Sequence, residues 1–211
     1  MNKPPDLSPI HAVIFLSRAQ GFLQRQQYAR ALADLTEYLR QQPGAVIALR
    51  ARALNYARLH RFDEALADLN EILRLDPASA DTWLDRGRAY QHQRRYPEAL
   101  ADYEKVLELA PGEARVHNQL SWMLAACPQS AYRDGPRAVE LARRACELTG
   151  WQDPNLLDTL ASAYAECGRF DEAVTWAKKA LALPQTENEI KEAVQRHIEL
   201  FQSGQPARFE S

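Results

Sequence analysis

Trp83-Leu84-Asp85-Arg86-Gly87-Arg88-Ala89-Tyr90, followed by Ala99-Leu100-Ala101-Asp102 and closed by Pro111, is the stretch that decides the fold. A step of 34 residues backwards carries Gly87 onto Ala53, Tyr90 onto Tyr56, Ala99-Leu100-Ala101-Asp102 onto Ala65-Leu66-Ala67-Asp68, and Pro111 onto Pro77. A second such step reaches Ala19, Phe22, Ala31-Leu32-Ala33-Asp34 and Pro43. Self-similarity at a fixed period of this length marks stacked supersecondary units, each too small to bury its apolar face alone. Small residues at Ala19, Ala53 and Gly87, and at Ala31, Ala65 and Ala99, allow two helix backbones to approach where larger side chains would overpack the seam. Each closing proline lacks an N–H and disfavours a helical residue before it, so it ends the second helix and opens the turn into the next repeat.

After Pro111 the period slips and returns. Tyr90 to Ala99 is nine residues, the matching step from Leu124 to Ala138 is fourteen, and Tyr164 to Ala173 is nine again. A fourth repeat therefore carries five extra residues in its internal turn, with Pro128, Gly135 and Pro136 as breakers. Asp153-Pro154 reads as an N-cap followed by proline in the first helical turn of a fifth repeat.

These residues resemble the tetratricopeptide repeat, a pair of antiparallel helices with the pattern W-x2-L-G-x2-Y, A-x3-F and P. The third repeat fits best, with Trp83, Arg86 where the pattern has Leu, Gly87, Tyr90, Ala99, Tyr103 and Pro111. The first two are degenerate at the Trp and Gly positions. The run Leu124 to Pro128, Arg133-Asp134-Gly135, Ala138 to Ala142, Ala145 to Trp151 and Leu157 to Ala161 resembles a terminal repeat pair of bacterial members. The resemblance implies an all-α, right-handed superhelical solenoid of five helix pairs plus a C-terminal capping helix. Its repeats run at about 12–45, 46–79, 80–113, 114–153 and 154–185, with the capping helix at 186–203. They form one domain over 9–203, between a flexible tail at 1–8 and a C-terminal tail at 204–211. Ser8-Pro9 opens the first helix, and Thr186 and Glu189 have capping-box spacing at the start of the last.

Composition narrows the function. With 26 Lys plus Arg against 28 Asp plus Glu the net charge is −2, which supplies no drive toward nucleic acid or an anionic membrane. No stretch has the length of a membrane-spanning helix. Cys127, Cys146 and Cys167 are odd in number, show no C-x2-C and have no histidine at ligand spacing, so they read as small buried apolar residues in a reducing, cytoplasmic setting. The five histidines are scattered, H-E-x-x-H and both phosphate-cradling glycine patterns are missing, and Asp34, Asp68 and Asp102 read as a repeated solvated face. The expectation is no enzyme, no catalytic residue, no cofactor and no metal.

What the resemblance leaves as the working part is the inner curve, formed by the first helix of each repeat. It assigns there Leu16 and Gln20, then Arg50 and Leu54, then Leu84, Asp85 and Arg88, and finally Arg115, Asn118 and Trp122. Leucines and Trp122 make an apolar track, and the arginines suit carboxylates, so a linear peptide or partner helix, partly apolar and partly acidic, matches. Arg50 has a competing partner in Asp81 or Asp85 of the next repeat. The best-known peptide-binding branch of the family grips a C-terminal carboxylate with Lys, Asn and Arg. The matching positions here are Leu16, Gln20, Ala51, Asp81 and Asp85, and two aspartates repel such a group. The reading is a non-catalytic scaffold or adaptor for a protein partner, without nucleic acid or membrane. A self-associating homo-oligomer, or the repeat portion of a larger protein, is the alternative.

Overall fold

The computed structural model describes residues 14, 17–19, 21–22, 25 and 27–209. Residues 17–19 and 21–22 are helical. Then follow α1 (Tyr28–Gln41), α2 (Val46–Arg58), α3 (Phe62–Leu75), α4 (Ala80–His92), α5 (Tyr96–Leu109), α6 (Ala114–Ala126), α7 (Gly135–Leu148), α8 (Pro154–Glu166), α9 (Phe170–Ala182) and α10 (Asn188–Gln202). A short 3-10 turn, Ser130–Tyr132, lies between α6 and α7, and no strand occurs among the described residues. The expected N-terminal tail and the helix start at Ser8-Pro9 lie outside the described residues. By internal packing the chain divides into two compact units, residues 1–102 and 103–211.

In the first unit the small positions close the helix seams as the period demands: Ala31, Ala48 and Ala65 are fully buried, with Ala19 and Ala53 at 1% exposure. Leu35, Leu49, Leu69 and Ile72 fill the space around them. Asp34, Asp68 and Asp102, expected on a solvated face, are instead buried. Each receives a two-pronged guanidinium from 16 residues earlier: Arg18 on Asp34, Arg52 on Asp68 at 2.8 and 2.7 Å, and Arg86 on Asp102 at 2.8 and 2.7 Å. A lone buried carboxylate is costly, but a fork that meets both oxygens satisfies it. The arginines obey the same 34-residue period as the aspartates, and that shared spacing was the signal for the pairing. Burial raises the Asp102 carboxyl above its ordinary range, while the hydrogen bonds and charge of Arg86 pull against that rise.

In the second unit the positions equivalent to Arg86 are Leu120 and Leu160, both fully buried. The core there is continued by Ala142, Ala145, Ala161, Ala173 and Ala177 beneath Val194, Ile198 and Phe201 of α10. Cys127 and Cys146 are fully buried, and burial pushes the Cys146 thiol up to about 12, so it is inert packing.

One turn joins the paired helices in both units. Arg61, Arg95 and Arg169 donate backbone N–H to the carbonyls of Tyr56, Tyr90 and Tyr164 at 2.9, 2.9 and 3.0 Å. This is the hydrogen bond of a Schellman helix end. The residue before each arginine is left-handed: His60 at φ 56°, Arg94 at φ 60° and Gly168 at φ 72°. The arginine guanidinium then lies over the tyrosine ring, 4.7, 4.4 and 4.6 Å from its centroid, and pairs with Glu64, Glu98 or Glu172. In the fourth repeat the insertion is spliced into this bond, where Asp134 donates its N–H to the Leu124 carbonyl at 2.9 Å and caps α7. Asp153 caps α8 as expected, accepting from Asn155 N–H at 2.9 Å. The capping box at Thr186 does not form: the Thr186 hydroxyl donates to the Ala180 and Leu183 carbonyls, closing α9 instead of opening α10.

Candidate functional site

The first unit holds an open cavity of about 270 Å³ on the face shared by α2 and α4. Leu54, Ala57, Phe62 and Ala89 give it an apolar floor, and Asp85, Arg88, His92 and Arg58 stand around it. The helical repeat explains the arrangement, since Arg50, Leu54 and Arg58 are four apart on α2, as are Arg88 and His92 on α4. Leu54 is 42% exposed and lines this cavity, whereas Leu49, Leu66, Leu69 and Leu73 of the same repeat are buried. The His92 imidazole stacks on the Phe62 ring, with centroids 5.1 Å apart and planes within 6°. Burial, with His60 and Arg88 nearby, lowers the His92 pKa, so the ring stays neutral and apolar toward the cavity.

Arg50 takes the competing partner. Its guanidinium bonds Asp81 at 3.1 Å and Asp85 at 3.0 Å, 31 and 35 residues along the chain. Burial raises the Asp85 carboxyl, and Arg50 and Arg88 oppose the rise. Arg88 makes no ion pair among the described residues. The site thus has an apolar floor, a cation near Asp85 that makes no ion pair among the described residues, and acidic groups already engaged by Arg50.

Other expected groove residues stand elsewhere. Leu16 and Gln20 lie outside the described residues. Leu84 is corrected to a core position at 2% exposure. The stripe through Asp81, Leu84, Asp85 and Arg88 spans about a hundred degrees, and its Leu84 edge turns into the packing between helices. Arg115, Asn118 and Trp122 belong to the second unit. Arg115 pairs with Glu113 at 2.9 Å, and Asn118 is partly buried. Trp122 is partly buried: its ring lies 5.9 Å from that of His197 and 6.4 Å from that of Phe209, so the capping helix and the following segment cover part of it. His197 also bonds Asp158 at 2.9 Å. Among the described residues no cluster of His, Cys, Asp or Glu is arranged to hold a metal. Nor is any helix among them long and apolar enough to cross a membrane.

Three family models, each described as tetratricopeptide repeat, match residues 16–80, 54–145 and 155–183. The chain belongs to the tetratricopeptide repeat family. No curated protein matches the sequence. Among solved structures, a tetratricopeptide repeat protein from Parabacteroides merdae is similar at 19% identity and a TM-score of 0.76, over 93% of this chain and 74% of that one. MamA from Desulfovibrio magneticus is similar at 20% identity and a TM-score of 0.71, over 84% and 97%. The first tetratricopeptide domain of Spaghetti (RPAP3), bound to the HSP90 peptide SRMEEVD, is similar at 25% identity and a TM-score of 0.50, over 54% and 90%. The tetratricopeptide fold is a scaffold for protein–protein interaction, in which stacked repeats supply the binding surface.

Proposed function

We propose that this chain is a non-catalytic adaptor and that the cavity between α2 and α4 receives a linear peptide or partner helix. The observation that carries the reading is Leu54, held exposed over an apolar pocket beside Arg88, which makes no ion pair among the described residues. An aliphatic or aromatic side chain fits the floor, and a neighbouring carboxylate fits Arg88. Arg115 and Asn118 extend the same reading to the second unit, as do Leu16 and Gln20 to the first.

A chaperone-tail clamp of the kind named for the Spaghetti neighbour is not what these side chains favour. Asp81 and Asp85 occupy matching positions and consume Arg50, leaving no cation aimed at a terminal carboxylate there. The three free cysteines suit a reducing, cytoplasmic compartment.

The test is selection of displayed peptides on the wild-type chain, followed by binding to a Leu54→Asp/Arg88→Glu variant. The expected peptides carry an apolar residue next to Asp or Glu and lose at least about tenfold in affinity on the variant, a change of roughly 1.4 kcal/mol. Peptides that bind the variant as well as the wild type place the interaction elsewhere.

A further inference from the structure

The last described residues do not trail away from the second unit. Helix α10 ends in a Schellman turn, with Gly204 at φ 72°, Gly204 N–H on the Phe201 carbonyl at 3.0 Å and Gln205 N–H on the Leu200 carbonyl at 2.9 Å. Pro206 blocks any continuation of the helix. The chain then runs extended back to α6, across 83 residues of sequence.

Three consecutive residues are gripped there by three kinds of contact. Ala207 is buried at 1% exposure in the core of the second unit. The Arg208 guanidinium donates to the Ala125 carbonyl at 3.1 Å and pairs with Glu166 at 2.6 Å. The backbone N–H of Phe209 donates to the Ala126 carbonyl at 3.2 Å, and its ring lies beside Trp122. Ala125 and Ala126 end α6, and Glu166 ends α8. Last-turn carbonyls have no partner within their own helix, and helix C-termini concentrate negative potential, so these ends favour an incoming cation and N–H donor.

Part of the receiving surface is held by groups other than its occupant. Glu166 is also held by Arg133 at 3.0 Å, and the Arg133 guanidinium is fixed in turn by the Cys127 carbonyl at 3.1 Å. Arg133 comes from the five-residue insertion, which gives that insertion a purpose beyond lengthening a turn. Lifting residues 207–209 leaves a carboxylate already aimed, two carbonyls without donors, and an indole face.

We propose that the ends of α6 and α8 form a recognition site for an extended small–arginine–aromatic segment, which residues 207–209 occupy in cis and which a partner peptide of the same chemistry occupies when they are released. This site is separate from the Leu54 cavity and stands independently of it. A strap tethered by a few residues acts at an effective concentration in the millimolar range, so a micromolar partner competes only after the strap is lifted.

The experiment measures fluorescence anisotropy of a labelled peptide with the sequence of residues 203–211. It is titrated with the full chain and with a chain ending at Gln202. Saturable binding to the shortened chain is expected, at least about tenfold tighter than to the full chain, which is one decade of dissociation constant. Glu166→Gln in the shortened chain and Arg208→Glu in the peptide should each abolish most of the binding. Should the shortened chain lose its helical signal, the full chain carrying Arg208→Glu and Phe209→Ser serves as the released form. A folded released form that ignores the peptide, or binds it equally well with Glu166→Gln, overturns the proposal and leaves the segment as fixed packing.

Discussion

The two compact units build the same helix pairs from different side-chain chemistry. Between paired helices, the first sets a half-buried guanidinium on a buried carboxylate, as in Arg52 with Asp68 and Arg86 with Asp102. At the position of Arg86 the second sets Leu120 and Leu160. The first also leaves an open cavity at Leu54, whereas the second partly covers Trp122 with His197 and Phe209. A repeat fixes where small residues and turns must fall, and leaves open how the remaining seam is satisfied. It equally leaves open whether the inner helices face solvent or the chain's own groups.

The largest expected effect separates the two seam chemistries. Asp102→Ala removes both carboxylate bonds from the half-buried Arg86, which keeps Asn70 as a partner, and should cost about 2–3 kcal/mol, read from the urea midpoint. Replacing both partners, Arg86→Leu with Asp102→Leu, imports the apolar solution and should return stability to within about 1 kcal/mol of wild type or above it. A double variant as unstable as Asp102→Ala would break the comparison, because the pair would then carry something that an apolar seam cannot supply.

A smaller effect should change sign between the units. Arg94 and Gly168 hold the same left-handed turn position, at φ 60° and 72°. Arg94→Gly relieves a steric cost and should stabilise by up to about 1 kcal/mol, while Gly168→Ala imposes that cost and should destabilise by about 1 kcal/mol. Thermal midpoints of the two variants check this, and shifts of the same sign would contradict the shared turn.

The smallest effect is a pH dependence confined to the first unit. The folded pKa of His92 is depressed by burial and by its cationic neighbours, so the unfolded chain takes up the proton more readily. Stability is therefore fully present above the ordinary imidazole pKa and declines as pH falls from about 7 toward about 5. His92→Phe should flatten this slope, and an unchanged slope assigns it to another group.

The 34-residue period, the small positions, the closing prolines and the cap at Asp153 were legible because each answers a local demand: a close helix approach, a stop or an N-terminal donor. The Arg52 pairing was not, since Asp68 is 16 residues away and meets it only once two helices have packed. The identity of Arg86 at an apolar pattern position was nonetheless a clue that a carboxylate waited opposite. Leu84 and Leu54 both fall on the expected inner curve, at the repeat positions of Arg50 and Arg88 respectively, and packing buries Leu84 while leaving Leu54 exposed. The strap at 205–209 has no periodicity to read, and its partners Glu166, Trp122 and Ala126 are more than 40 residues upstream.

The measurement that bears most directly on the account is a map of backbone amide shifts as a selected apolar–acidic peptide is added to the full chain. The account predicts saturable shifts clustered on residues 50–58 and 84–92, around Leu54 and Arg88, and their loss in the Leu54→Asp/Arg88→Glu variant. Shifts centred on another surface, with those two helices silent, would contradict it.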